Sequence, residues 1–356
     1  MPDGAFPGGL VVDGHLDLAT NALLFGRDLT VPARETRAKE NRTRSQVTVA
    51  LPDLVAGRVG ILFATIWALP AKLDIGVGSL DTLAAPAMRP YSTPEEAEVQ
   101  GLTQLDLYRH LAEDGAVRLI LSKGDLSRHV DAWTTDGVPG LVILMEGADP
   151  IVRPEDVPAW WERGLRIVGP AWGRTRYAGG TGAPGGLTPE GRELVAAMRE
   201  TGMVLDISHL ADEAFADAME VGPGRVIASH SSARALVPGD RQLTDEMIRA
   251  VGDRDGIVGL PLYNLFLDKA WRHGSSVIVR ADDQFRRHAE HIAGLIGWDR
   301  VGIGSDLDGG FGLLESPEEI DTVADLSAVA AALPEEARAG VLGGNWLRFL
   351  RQALPD

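Results

Sequence analysis

Residues 10–17 have the sequence LVVDGHLD, in which a short apolar run ends in a histidine and an aspartate. Side chains two residues apart in extended backbone point to the same side, so His15 and Asp17 are expected together at the end of a strand. Four further apolar runs end in a polar residue of the same kind: Glu146 after 141–145, His209 after 203–208, His230 after 225–229 and Asp306 after 301–305.

Nine apolar runs, rich in β-branched residues, alternate with segments of helical pattern. They lie at 10–13, 60–67, 117–121, 141–145, 165–168, 203–207, 225–229, 257–260 and 301–304. This alternation predicts a parallel sheet covered by helices, either an open doubly wound sheet or a barrel. Strand ends that carry potential ligands favour the barrel, because there the C-terminal strand ends meet on one face. We therefore predict a single-domain α/β protein, a (β/α)₈ TIM-type barrel over residues 1–356, with 117–121 as an accessory strand.

Helix signals lie between these runs. Thr188-Pro189-Glu190 predicts a helix start, and residues 244–251 and 282–296 have helical periodicity. The glycine-rich stretch 178–186 is interpreted as a loop. It contains Gly180, Gly182 and Gly185 in a G-x-G-x-x-G pattern, but no strand leads directly into it, so a nucleotide site is disfavoured.

Composition narrows the classes of function. The chain is 45% hydrophobic and 24% charged, as in a globular enzyme, and its net charge of −17 argues against nucleic acid or anionic lipid as a partner. There is no cysteine, so any metal must be held by histidines and carboxylates. The sequence shows neither a membrane span nor a signal peptide, and we expect a cytoplasmic protein without a membrane partner.

The residues at the strand ends have the chemistry of a metal centre. Three histidines and two carboxylates, His15, His209, His230, Asp17 and Glu146, are ligands typical of zinc or a similar divalent ion. Their number exceeds what one four-coordinate ion with an open position uses, so two ions are expected if one carboxylate bridges them. Such a pair makes hydroxide available near neutral pH, and Asp306 then remains as the base.

In its ordered motifs the chain resembles the renal (membrane) dipeptidase family, metal-dependent barrel peptidases of the amidohydrolase superfamily. The resemblance covers nearly the whole chain. Its motifs are DGHLD at 13–17, MEG at 145–147, GLTPEGR at 186–192, DISH at 206–209, SHSS at 229–232, GSDLDG at 304–309 and GGNWLR at 343–348.

The resemblance implies a metallo-dipeptidase that hydrolyses small dipeptides. It implies that His15 and Asp17 hold one zinc ion, that His209 and His230 hold the other, and that Glu146 bridges them. Asp306 corresponds to the acidic residue that takes a proton from the metal-bridging water, which becomes hydroxide, and passes that proton to the leaving amine. The analogy also suggests tolerance of a D-residue at the C-terminal position and a homodimer.

Substrate contacts are implied in the same way. Arg241 corresponds to the arginine that binds the substrate carboxylate, and Tyr263 and Asn264 fall where the family places a substrate-side tyrosine. Trp172 stands where animal members carry a histidine thought to stabilise the oxyanion, and an indole cannot carry that charge. Arg174, Arg176 or Tyr177 in the same segment are candidates for polar contacts in its place.

The main alternative is hydrolysis of another small amide, lactone or ester on the same metal centre. Related branches often use H-x-H on the first strand and a carbamylated lysine, whereas this chain has H-x-D and Glu146. A barrel that only binds peptides would have no use for Asp306. The remaining histidines are interpreted as surface residues (His110, His129 and His273) or as packing or hydrogen-bonding residues (His288 and His291).

Overall fold

The structure, a computed structural model, describes residues 9–40, 45–71 and 86–356. Part of the predicted domain, residues 1–8, 41–44 and 72–85, lies outside that description. The strands are β1 (Val11–Leu16), β2 (Val59–Trp67), β3 (Arg118–Leu119), β4 (Gly140–Glu146), β5 (Leu165–Gly169), β6 (Ala178–Gly180), β7 (Ala183–Leu187), β8 (Val204–Asp206), β9 (Val226–Ile227), β10 (Val258–Leu260) and β11 (Val301–Ile303).

Eight of these strands form a parallel barrel. Their order is β10-β11-β1-β2-β4-β5-β8-β9, and a parallel bridge between Ala228 and Val258 joins β9 to β10. The short strand β3 pairs only with β4, outside this ring, which confirms it as the accessory strand. The prediction of a single-domain (β/α)₈ barrel is thereby confirmed.

Helices cover the outside of the barrel. They are α1 (Leu18–Phe25), α2 (Ala33–Lys39), α3 (Leu51–Ala56), α4 (Pro94–Glu113), α5 (Lys123–Asp136), α6 (Val157–Glu162), α7 (Pro189–Thr201), α8 (Asp212–Val221), α9 (Asp245–Gly252), α10 (Asn264–Leu267), α11 (Arg286–Ile296), α12 (Leu326–Ala331), α13 (Glu335–Ala339) and α14 (Asn345–Ala353). Helix α7 begins as predicted, because the Thr188 hydroxyl accepts the Gly191 N–H at 3.0 Å. A π-helical turn, Ala281–Phe285, precedes α11.

Trp346 fills the barrel interior from the C-terminal helix α14. Its ring packs edge-on against Phe63, with centroids 4.9 Å apart, and its Nε1 donates to the Ile303 carbonyl at 2.8 Å. A Cβ atom on Gly302 would lie 2.4 Å from Trp346 Nε1, and one on Gly14 would lie 2.7 Å from the same ring. Glycine at these two strand positions therefore leaves room for the indole beneath the predicted metal ligands.

Two interpretations from the sequence were wrong. The glycine-rich stretch is an antiparallel hairpin of β6 and β7 rather than a loop without regular structure, and Leu187 N–H donates to Asp217 of α8 at 2.8 Å. His129 is buried, not on the surface, and its Nε2 lies 2.8 Å from the Gly60 carbonyl of β2. Its helix α5 packs that face against the sheet, which the pattern of the helix alone does not reveal.

Candidate metal centre

The five predicted ligands meet at the C-terminal end of the barrel. His15 and Glu146 lie within β1 and β4, Asp17 directly follows β1, and His209 and His230 follow β8 and β9; Asp306, the predicted base, follows β11. All six side chains are buried. His209 and Asp306 have positive φ angles of 68° and 59°, which are uncommon for residues other than glycine and mark local strain of the kind found at functional sites.

Glu146 lies at the centre of this cluster. Its Oε1 atom is 2.9 Å from His209 Nε2 and 3.2 Å from His230 Nε2, and those two nitrogens are 3.1 Å apart. Its Oε2 atom lies 3.7 Å from His15 Nε2. The two carboxylate oxygens therefore face two different groups of donors.

Asp17 completes the second group. Its Oδ2 atom lies 3.9 Å from His15 Nε2, and its Oδ1 atom accepts a hydrogen bond from the Thr65 hydroxyl. Burial, together with the charge of Glu146, raises the pKa of Asp17 to about 6. Two carboxylates this close in a buried site require a cation between them or a proton.

The charges of the histidines differ across the site. Burial opposes a charge on His15, but the carboxylates of Glu146, Asp17 and Asp306 raise its pKa to about 9. Burial lowers the pKa of His209 to about 4, and the charge of Arg241 acts in the same direction. Burial also opposes the charge of Glu146, yet His15 and His209 hold its pKa well below the usual value.

This donor set fits divalent metal ions. Glu146, His209 and His230 offer three ligand atoms within 4.8 Å of one another, and so do His15, Asp17 and Glu146. His15 Nε2 is fully buried and has no hydrogen-bond partner among the described residues. A buried imidazole nitrogen that faces carboxylates and has no hydrogen-bond partner is suited to bind a cation.

The ligand atoms of His15 and His230 also lie within 4.8 Å of a carboxylate oxygen of Asp206, a residue that the sequence prediction did not include. Asp206 already accepts hydrogen bonds from Ser208 N–H at 3.0 Å and from Ser229 N–H at 2.9 Å. It therefore lies behind the histidines rather than among the free ligands. Asp206 is the first residue of the DISH motif at 206–209, in which the sequence prediction assigned a role only to His209.

Asp306 faces the same cluster without belonging to either ligand group. Its Oδ1 atom is 4.0 Å from His15 Nε2, and its N–H donates to the His15 carbonyl at 3.1 Å. Burial raises the pKa of Asp306 well above the usual value, and the charges of Asp17 and Glu146 add to this effect. A buried carboxyl with a raised pKa has the properties of a group that accepts and returns protons.

Arg241 is buried beside the histidines. Its Nη2 donates to the His230 carbonyl at 2.7 Å and its Nη1 to the Ser231 hydroxyl at 3.2 Å. Its Nε has no partner within the described part of the chain, and the guanidinium carbon lies 4.9 Å from the centre of the Phe266 ring. The structure thus brings Arg241 to the site with donor capacity left over.

Trp172 lies against a metal-ligand candidate, with its ring 5.9 Å from the ring of His209 and 5.5 Å from that of Trp67. The three residues considered as polar substitutes in its segment are engaged elsewhere: Arg174 with the Pro184 carbonyl, Arg176 with Glu190 and Tyr177 with the Ile151 carbonyl. The expectation that they serve the site is not supported by these contacts.

The β6–β7 hairpin supplies a residue that sequence reasoning missed. Thr181, between the two strands, places its hydroxyl 3.0 Å from His209 Nδ1. Because metal-binding histidines typically engage their second nitrogen in such a contact, Thr181 orients His209. Because the hairpin is rich in glycine, its sequence predicts neither the two strands nor the contact of Thr181 with His209.

Tyr263 and Asn264 lie at the edge of the site. The half-buried Tyr263 stacks on Phe311 with centroids 4.5 Å apart, and its hydroxyl is 3.0 Å from His273 Nε2. Burial raises its pKa to about 12, with smaller contributions from Glu315 and Asp306. Asn264 is buried and donates to the Ser316 carbonyl at 2.9 Å, which ties the start of α10 to the loop at Ser316.

The family model described as membrane dipeptidase (peptidase family M19) matches residues 9–354. The chain belongs to the membrane dipeptidase family. This assignment confirms the resemblance drawn from the motifs, and with it the class of enzyme, a metallo-dipeptidase. Among the described residues of this chain, no helix is both long enough and apolar enough to cross a membrane.

Relatives of known sequence agree with the assignment to the membrane dipeptidase family. An uncharacterized Klebsiella pneumoniae protein of the pqqA 5' region is 32% identical over 252 residues, which cover 67% of this chain and 89% of that protein. The dipeptidase tcpJ of Claviceps purpurea is 32% identical over 175 residues, covering 47% of this chain and 38% of that protein. The second match thus spans less than half of that dipeptidase.

Solved structures agree along nearly the full length. A metallopeptidase of family M19, dipeptidase AC, superposes with a TM-score of 0.76 at 25% identity and covers 98% of this chain and 99% of that one. A Rhodobacter sphaeroides metallopeptidase, solved with a phosphinate mimic of the dipeptide L-Ala-D-Ala, gives a TM-score of 0.76 at 26% identity, over 97% of this chain and 99% of that one.

Proposed function

We propose that this member of the membrane dipeptidase family binds two zinc ions and hydrolyses dipeptides. The observation that carries the proposal is the position of Glu146, whose Oε1 atom faces His209 and His230 while Oε2 faces His15. A carboxylate with each oxygen directed at a separate donor group is suited to bridge two ions. The proposal assigns His15 and Asp17 to one ion, and His209 and His230 to the other.

The donors are imidazole nitrogens and carboxylate oxygens, the set that zinc and similar divalent ions prefer in hydrolytic sites. When bound, such ions lower the pKa of a coordinated water and polarise a carbonyl group. The protein's contribution is to hold the ligands apart and to exclude bulk water from a site whose ligands are all buried.

Asp306 is assigned the proton transfer. Its carboxylate would accept a proton from the attacking water and deliver that proton to the nitrogen of the leaving amine. Burial and the neighbouring carboxylates raise the pKa of Asp306, which makes it a stronger base than an exposed aspartate. Its Oδ1 lies on the His15 side of the cluster, within reach of the space between the two donor groups.

The substrate is proposed to carry a free C-terminal carboxylate that binds Arg241. The guanidinium is buried and donates two hydrogen bonds to the protein, and its Nε has no partner among the residues that the structure describes. The solved Rhodobacter relative was crystallised with a mimic of L-Ala-D-Ala, which supports extending the proposal to dipeptides with a D-residue at the C-terminal position. Trp172 and Tyr263 are proposed to flank the substrate, and contact through Asn264 stays a prediction.

The test combines metal analysis with a substrate panel. We expect about two zinc ions per chain, and cleavage of L,L- or L,D-dipeptides but not of their amides or of simple lactones. Glu146→Gln should lower the occupancy of both ions. Asp149→Asn is the matched control, because this buried carboxylate accepts from Tyr91 and the Arg176 N–H and lies outside the ligand groups, so metal content should be kept.

A single tightly held ion, with no gain in activity on adding a second, would contradict the two-ion proposal. Faster hydrolysis of lactones or non-peptide amides than of any dipeptide would instead favour the alternative reaction on the same centre.

A further inference from the structure

We propose that Ser229 is a positioning residue whose single hydroxyl sets the tautomer of two metal-binding histidines, one in each ion site. The inference rests on the two-ion centre of the proposed function. Ser229 Oγ lies 3.1 Å from His15 Nδ1 and 2.8 Å from His230 Nδ1. The side chain is fully buried, and Asp206 Oδ2 lies 2.5 Å from the same oxygen.

The direction of these hydrogen bonds follows from Asp206. Its Oδ1 atom accepts the backbone N–H groups of Ser208 and Ser229, so Oδ2 is the oxygen presented to the Ser229 hydroxyl. A carboxylate only accepts, and a hydroxyl has one proton, so that proton points to Asp206. The Ser208 hydroxyl, at 3.5 Å, is the more distant alternative acceptor. Ser229 Oγ is then left to accept from both His15 and His230.

Each histidine must therefore carry its proton on Nδ1. In a neutral imidazole this places the free electron pair on Nε2, the atom that can bind a metal. His15 Nε2 and His230 Nε2 are the atoms that face Glu146, at 3.7 and 3.2 Å. One buried hydroxyl thus prepares a ligand for each of the two ions.

A second pair in the barrel shows which part of this arrangement is special. Asp13 accepts the Ser305 N–H at 2.7 Å through Oδ1, and the Ser305 hydroxyl donates to Oδ2 at 2.5 Å. Ser305 precedes Asp306 as Ser229 precedes His230. The two pairs fasten neighbouring strand ends in the same way, but among the described residues the Ser305 hydroxyl contacts no imidazole nitrogen.

The Ser305 pair supplies a matched control. Ser229→Ala and Ser305→Ala each delete a buried hydrogen bond of the same kind, from a serine hydroxyl to an aspartate. Only Ser229→Ala also removes the acceptor of two histidines. We expect Ser229→Ala to weaken zinc binding about 10- to 100-fold at both sites, the usual effect of losing such a supporting contact. Competition with a chromophoric chelator measures the zinc affinity. Long-range ¹H–¹⁵N spectra of the metal-free protein should lose the pure Nδ1–H form of His230, while Ser305→Ala keeps it.

Asp206→Asn tests the direction of the bond without deleting the hydroxyl. The two backbone N–H groups require the amide oxygen on their side, so the NH₂ group faces Ser229 and the serine proton must turn towards a histidine Nδ1. An Nε2–H tautomer should then appear at His230, and the ion that His230 holds should bind much more weakly. This variant also covers the case in which Ser229→Ala does not fold.

Wild-type tautomers and wild-type zinc affinity in both Ser229→Ala and Asp206→Asn would overturn the inference. Equal losses of affinity in Ser229→Ala and Ser305→Ala, without a change of tautomer, would also overturn it, because they would show a general packing role. If the wild type bound no zinc, the proposed function would fail, whereas the spectra of the metal-free protein would still test the role of the hydroxyl.

Discussion

Arg241 offers a quantitative test of substrate binding. Two of its five N–H groups are used by the His230 carbonyl and the Ser231 hydroxyl, and Nε is buried without a partner in the described structure. We propose replacing it with methionine, which keeps a flexible apolar stem beside Phe266 but donates no hydrogen bond. The effect should then depend on whether the substrate carries a carboxylate.

Three N–H groups remain without a partner in the described structure, and the magnitude is worked out for a single hydrogen bond from one of them. One hydrogen bond to a charged partner contributes about 1.5–3 kcal/mol, which corresponds to roughly a 10- to 150-fold effect on kcat/KM. We expect Arg241→Met to lower kcat/KM for a free-acid dipeptide more than for its amide. The ratio of the two kcat/KM values, acid to amide, should fall by this factor relative to the wild type. Most of the loss should lie in KM, because the proposed ligands and Asp306 are untouched.

The assay is a cycle of two enzymes and two substrates, wild type and Arg241→Met, each with a dipeptide and its amide. Arg249→Met is the control, since this exposed arginine is 3.9 Å from Asp245 and changes the net charge equally without reaching the site. An unchanged ratio of acid to amide rates in Arg241→Met would refute the assignment, whatever the absolute rates. Equal ratios in both arginine variants would show a long-range charge effect instead.

Three further predictions concern proton transfer, metal content and stability. Asp306→Asn should lower kcat about 100- to 10,000-fold with zinc content retained, as a metal assay beside steady-state kinetics would show, and a wild-type rate would place the proton transfer elsewhere. His209→Ala should empty mainly one ion site, and zinc analysis finding both sites empty would argue against separate donor groups. Burial lowers the pKa of His129 from 6.5 to about 4, so the unfolded chain gains a proton below pH 6.5 that the folded protein resists. The stability that the neutral, buried His129 confers is therefore lost as the pH falls from 6.5 towards 4. Between pH 7 and pH 5 the free energy of unfolding, measured with denaturant, should fall by about 2 kcal/mol less in His129→Gln than in the wild type. Identical pH dependence in both proteins would contradict this value.

The barrel could be predicted because its signals are local. Buried parallel strands are short apolar runs whichever neighbours they have, and Thr188 caps its helix through residues three positions away. The histidines and carboxylates at the run ends could be assigned to one site because the barrel brings all C-terminal strand ends together. These inferences need only the spacing of residues along the chain.

The errors arose where a residue's environment is made by distant parts of the chain. The β6–β7 hairpin is rich in glycine, a weak strand former, and it is held in place by contacts such as Leu187 to Asp217. His129 looks like an exposed polar residue within its own helix, yet it meets the carbonyl of Gly60 in another element. Neither feature leaves a periodic trace in the sequence.

Sequence alone therefore determined the kind of fold, the family and the chemical types of the ligands, because these depend on residue identity and order. Tertiary structure alone decided which Glu146 oxygen faces which histidines and that one Ser229 hydroxyl serves both His15 and His230. Ser229 and His15 are 214 residues apart in the sequence. A hydrogen bond between them requires that the donor–acceptor distance be correct to within a few tenths of an ångström. Spacing along the chain does not encode distances of that kind, which arise only when the barrel closes.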